Sequence, residues 1–80
     1  MVVLTPEGPR EADVRSSRQA SRVGAHWNAV DAYLRTGNAR ALRKFASVRI
    51  GGLALATDPE QIESYARRGA LAIDDIYPQR

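Results

Sequence analysis

Between residues 16 and 36 the apolar positions fall three and four apart. Ala20, Val23, Trp27, Val30 and Leu34 make a single stripe on a helix of about 3.6 residues per turn. Ser16 and Ser17 stand where an N-cap belongs, and Gly37 stands where a C′ glycine closes a helix. A shorter helix is expected next. Asn38 caps it, Ala39 to Ala46 are good formers, Leu42 and Phe45 face inward, and Arg40, Arg43 and Lys44 face out. At Val48 the period drops to two. Val48 to Leu55 reads as a hairpin turning on Gly51-Gly52, where glycine supplies the positive φ that a two-residue turn demands. Pairing Ile50 with Leu53 and Val48 with Leu55 puts four large apolar side chains on one face and Arg49 and Ala54 on the other.

The third helix has the sharpest boundaries. Asp58 is its N-cap, Pro59 fits the first turn, and Gln61 completes a capping-box-like pattern. Glu60 and Glu63 suit the positive end of the helix dipole, Arg67 and Arg68 the negative end, and Gly69 ends it. Ile62, Tyr65 and Ala66 form its inner stripe. Leu71-Ala72-Ile73 is expected to be a third strand beside the hairpin, and Asp74 to Pro78 a closing turn. Residues 1–14 carry Pro6, Gly8 and Pro9 and show no period, so they read as a mobile N-terminal arm. Within them Val2-Val3-Leu4 is the one piece able to join an open sheet edge.

The expected fold is therefore α+β, in a single small domain over residues 15–80. A long amphipathic helix leads to a short second helix, a Gly-Gly β-hairpin, a capped third helix and a short last strand. Its expected core holds Val23, Trp27, Val30, Leu34, Leu42, Phe45, the four hairpin residues, Ile62, Tyr65, Leu71 and Ile73. Eighty residues leave room for one domain with a small core. An apolar fraction of 44% and a charged fraction of 26% are those of a folded chain. With no cysteine there is neither disulfide nor thiolate metal site, which suits a reducing cytoplasm. Met1 to Leu4 is too short for a signal-peptide core, and no stretch approaches a membrane span.

Charge changes the picture more than composition does. From Arg15 to Arg49 eight basic side chains face one carboxylate, Asp31, whereas the last thirty residues are acidic on balance. Projected on the first helix, Arg15, Arg18, Arg22, His26, Ala29 and Tyr33 share a side away from Trp27. Guanidinium groups, an imidazole and a phenol on one face suit phosphate oxygens with an occasional stacked base. Arg40, Arg43, Lys44 and Arg49 extend that face if the second helix folds back beside the first. The plain alternative is a solvated charged face.

Catalytic chemistry finds little footing. His26 is the only histidine, and Asp31, five residues on, lies on another helical face. No serine sits in a nucleophile elbow, and Gly51-Gly52 lacks the Lys-Ser/Thr of a phosphate-cradling loop. Asp74 and Asp75 have no cation-loop spacing, so neither a metal nor a cofactor is expected. The order of helices and hairpin is not that of a winged helix.

These features imply a small basic protein that contacts the phosphates of DNA or RNA with low sequence specificity, through Arg15, Arg18, Arg22, His26, Tyr33, Arg40, Arg43, Lys44 and Arg49. The competing expectation is a non-catalytic protein–protein interaction module that docks on an acidic protein surface: an accessory subunit, an antitoxin-like inhibitor or a phage-type adaptor. Neither is an enzyme, neither involves a membrane, and the apolar helix stripe leaves a homodimer open.

Overall fold

The computed structural model describes residues 1–69 and residue 71. It is an α+β fold of two antiparallel hairpins and two α-helices, joined by a 3₁₀ helix. In chain order come β1 (Val2–Thr5), β2 (Gly8–Glu11), α1 (Ser17–Thr36), the 3₁₀ helix (Arg40–Phe45), β3 (Arg49–Ile50), β4 (Leu53–Ala54) and α2 (Pro59–Arg67). Among the described residues β1 pairs with β2 and β3 with β4, so the hairpins form separate two-stranded sheets.

Residues 2–11, expected to be a mobile arm, are instead the first hairpin, and this corrects the expected domain boundary. Its register sets Val2 opposite Glu11 and Leu4 opposite Pro9. The Thr5 hydroxyl closes the turn, accepting from the Glu7 N–H at 3.1 Å and donating to the Gly8 carbonyl at 2.7 Å. Val3, Leu4 and Thr5 are all buried. Successive strand residues point to opposite faces, so three buried in a row mean that both faces of β1 are covered. Such a strand shows no alternation, and that is why its sequence resembles an aperiodic arm. Val2-Val3-Leu4 pairs with β2 in its own hairpin and does not extend the β3–β4 sheet. The Leu4 carbonyl accepts from the Ala56 N–H at 2.8 Å, which ties the chain after β4 to β1.

The spine is α1, and its ends are where the capping residues put them. Ser16 Oγ accepts from the Gln19 N–H at 3.2 Å, while Gln19 Oε1 reaches back to the Arg15 N–H at 2.8 Å. This is a capping box displaced by one residue. At the other end Gly37 has φ 77° and donates its N–H to the Tyr33 carbonyl at 2.7 Å. Trp27 is buried with Val23 and Val30, and its indole N–H donates to the Val2 carbonyl at 2.9 Å. The first hairpin is thus bonded to the centre of the spine.

The second helix is 3₁₀ and not α. Its bonds span three residues, from the Leu42 N–H to Ala39 at 3.1 Å and from the Ala46 N–H to Arg43 at 3.3 Å. Asn38 Oδ1 starts it by accepting from the Arg40 N–H at 3.0 Å. Leu42 and Phe45 are buried and Arg40, Arg43 and Lys44 exposed, as the pattern requires. In the Gly-Gly hairpin Ile50 pairs with Leu53 and Arg49 with Ala54. Gly51 and Gly52 have φ 58° and 83°, the left-handed pair of a two-residue turn.

α2 begins as expected, with Asp58 accepting from the Glu60 N–H at 3.1 Å and Pro59 in the first turn. The cap bond falls on Glu60 and not on Gln61. Ile62 is fully buried, and the Tyr65 hydroxyl donates to the Pro6 carbonyl at 2.6 Å, fastening α2 to the first turn. β1, α1, the 3₁₀ helix, β3 and α2 all contribute buried side chains to one apolar cluster, against which Leu53 of β4 and Leu71 are packed. The expected strand at 71–73 and the closing turn at 74–78 lie, apart from Leu71, outside the described residues. No helix among the described residues is long and apolar enough to cross a membrane.

Candidate nucleic-acid interface

The helical row that carries the first arginines of α1 continues into the floor of a groove. Arg18, Arg22, Ala25, Ala29 and Ala32 follow at intervals of four, three, four and three, so they share one side of α1. Arg18 and Arg22 are exposed on the first two turns. From Ala25 onward the 3₁₀ helix runs beside the same side, and Ala25, Ala29 and Ala32 line a groove together with Ala41, Lys44 and Phe45. The result is a shallow groove of about 300 Å³, with Asn28 and Lys44 as its polar members.

Electrostatics separates the nine expected contact residues. Arg18, Arg22, Arg40, Arg43, Lys44 and Arg49 are exposed. The ion pairs among the described residues are Arg15–Asp13, Arg35–Asp31 and the N-terminal amine with Glu11, so none of these six takes part in one. α1 also has no acidic residue in its first turn. The positive end of its dipole is therefore offset by no nearby side-chain carboxylate on the helix itself.

Three of the nine do not stand as expected. Arg15 precedes the N-cap and so lies off the helical projection, and its guanidinium holds Asp13 at 2.8 Å. His26 is completely buried and faces no solvent. Its ring lies edge-on to Phe45 at 5.1 Å between centroids, and Nε2 donates to the Ala56 carbonyl at 2.7 Å. A carbonyl only accepts, so Nε2 carries the proton, and the buried Nδ1 has no partner among the described residues. Desolvation lowers the pKa of His26, with the bond to Ala56 acting the other way. Tyr33 is half-buried, and partial desolvation followed by the Glu63 carboxylate raises its phenol. The charged groups acting on it are those of α2: Glu63, Glu60 and, in the opposite sense, Arg67.

His26 and Ala29 account for the error in the projection. The helix buries two adjacent stripes, because the 3₁₀ helix and the chain around Ala56 cover the side next to the Trp27 stripe. The exposed arginines continue only the part of that side that remains uncovered. Arg49 stands on the outer face of β3, opposite Ala54.

Sequence reasoning missed Asn28 and Ala25, both exposed and both lining the groove. The signal was present as a small-residue row at 25, 29 and 32 running on from Arg18 and Arg22. Among the described residues no group of His, Asp and Glu side chains is arranged to hold a metal ion. Asp74 and Asp75 lie outside them.

Comparison with protein-family models, with curated proteins and with solved structures finds no match for this chain.

Proposed function

We propose that this protein binds nucleic acid through the phosphate backbone, with low sequence specificity, using Arg18, Arg22, Arg40, Arg43, Lys44 and Arg49. The observation that carries this reading is the row just described: exposed arginines on the first turns of α1 run directly into the place where the cationic 3₁₀ helix is packed. Cations distributed over three elements, α1, the 3₁₀ helix and β3, suit a polyanion better than a single anionic group. Arginine forks phosphate oxygens, and five of the six are arginine. Arg15, tied to Asp13, has a minor part, and His26 and Tyr33 have none. A cytoplasmic setting goes with such a partner.

Salt titration tests this. Neutralising about five phosphates makes log K for DNA or RNA fall against log salt with a slope of roughly −4 to −5. Replacing Arg18 and Arg22 together with Ala weakens binding and flattens the slope while leaving the melting temperature nearly unchanged, since neither side chain is packed or paired. Absence of binding at low salt, or a slope near zero, refutes the reading.

The apolar lining of the groove is the observation that favours the alternative, a non-catalytic interaction module. That reading gives a stable, weakly salt-sensitive complex with one protein, recoverable by co-purification.

A further inference from the structure

We propose that the groove between α1 and the 3₁₀ helix takes one unstacked base of a single-stranded nucleic acid, with the adjoining phosphate held by Lys44 and Arg22. This deepens the nucleic-acid reading and rests on it. At about 300 Å³ the groove is at the lower limit of small-molecule sites and suits a single planar ring system. On the α1 side the lining is Ala25, Asn28, Ala29 and Ala32, of which Ala25 and Ala32 are exposed small apolar side chains that leave room for a base plane. Phe45, on the opposite wall, is buried at 8% exposure and completes the apolar lining.

The polar members are those a nucleotide needs. The Asn28 carboxamide has both donors and an acceptor, the combination that matches a base edge. The Lys44 ammonium stands in the opposite wall as a point charge for phosphate. Arg22 precedes Ala25 by three residues, about 4.5 Å along the helix axis, so a backbone leaving the groove passes its guanidinium. An apolar peptide occupying the groove leaves these cations unmatched. A nucleotide presents an apolar face and an anion side by side. A duplex keeps its bases stacked inside, so only a single strand can supply the occupant.

The experiment measures anisotropy of three fluorescein-labelled probes of equal length at low salt: a single-stranded oligonucleotide, its duplex, and an abasic strand with the same phosphates. The single strand is expected to bind about tenfold more tightly than the abasic strand, the advantage of one stacked base. Ala25→Leu fills the groove from an exposed position and is expected to erase that advantage while keeping the salt slope. Asn28→Ala is expected to reduce discrimination between bases. Equal affinity for all three probes with the salt slope intact overturns the base site and leaves phosphate binding standing. An Ala25→Leu protein that retains the single-strand advantage overturns it as well. Binding of polyglutamate in preference to every oligonucleotide overturns both readings and assigns the groove to an acidic protein.

Discussion

The imidazole of His26 donates to the carbonyl of Ala56 across 2.7 Å, and the Ala56 N–H in turn donates to Leu4 at 2.8 Å. One residue thereby joins the middle of α1 to β1 through the chain that follows the second hairpin. The imidazole is buried, which favours its neutral form, and among the described residues Nδ1 has no partner.

Acid is expected to loosen this junction. The folded pKa of His26 lies below 6.5, because burial penalises the cation. Below about pH 6.5 the unfolded chain takes up a proton that the folded chain refuses, so stability falls with pH until the folded pKa is passed. The slope is at most about 1.4 kcal/mol per pH unit. Urea midpoints between pH 7.5 and 5 check it, since His26→Gln keeps a donor but does not titrate. Equal pH dependence in the two proteins would remove His26 as the cause.

Trp27 is expected to be the costliest single truncation. It is 2% exposed and bonded to Val2. Trp27→Ala removes packing worth about 3–5 kcal/mol, comparable with the whole stability of a small domain. Trp27→Phe keeps most of the ring but leaves the Val2 carbonyl without its donor, at about 1–3 kcal/mol. Thermal denaturation followed by circular dichroism ranks the two, and a Trp27→Ala protein as stable as Trp27→Phe contradicts the packing described.

The glycines of the second turn differ in kind. Gly51 and Gly52 both have positive φ, so alanine at either costs about 1–2 kcal/mol in backbone strain. Only at Gly51 does a Cβ also meet backbone, 3.1 Å from the N and O of Asp13, while at Gly52 it meets nothing within 4 Å. Gly51→Ala is therefore expected to lower the melting temperature more than Gly52→Ala, and equal losses would show that the turn does not press on the linker before α1.

Tyr33 offers a check on how α1 and α2 face each other. Its phenol is expected to ionise above pH 10, through partial desolvation and then the carboxylate of Glu63. Glu63→Gln brings the ultraviolet titration back toward the ordinary value. A titration indifferent to Glu63 means that the phenol points elsewhere.

Much of this architecture is legible along the chain. Ser16 and Gly37 bound α1, Asp58 and Pro59 begin α2, and the Gly51-Gly52 turn sets Ile50 against Leu53, because each depends on interactions within a few residues. The amphipathic stripe through Val23, Trp27 and Val30 is equally local, as is the exposure of Arg40, Arg43 and Lys44. Residues 2–11 were illegible because β1 is covered on both faces by parts of the chain distant in sequence, and a strand buried twice carries no alternation.

The candidate site divides on the same line. Sequence alone determined that α1 has cationic positions and that more follow on the next helix. Only tertiary packing decided which of them meet solvent: the 3₁₀ helix and Ala56 came to rest against the side of α1 that holds His26 and Ala29, and Arg15 fell outside the helix beside Asp13. A projection assigns each residue an angle about one axis. Burial at that angle is set by whichever distant segment gains most by covering it, which no single-helix period contains.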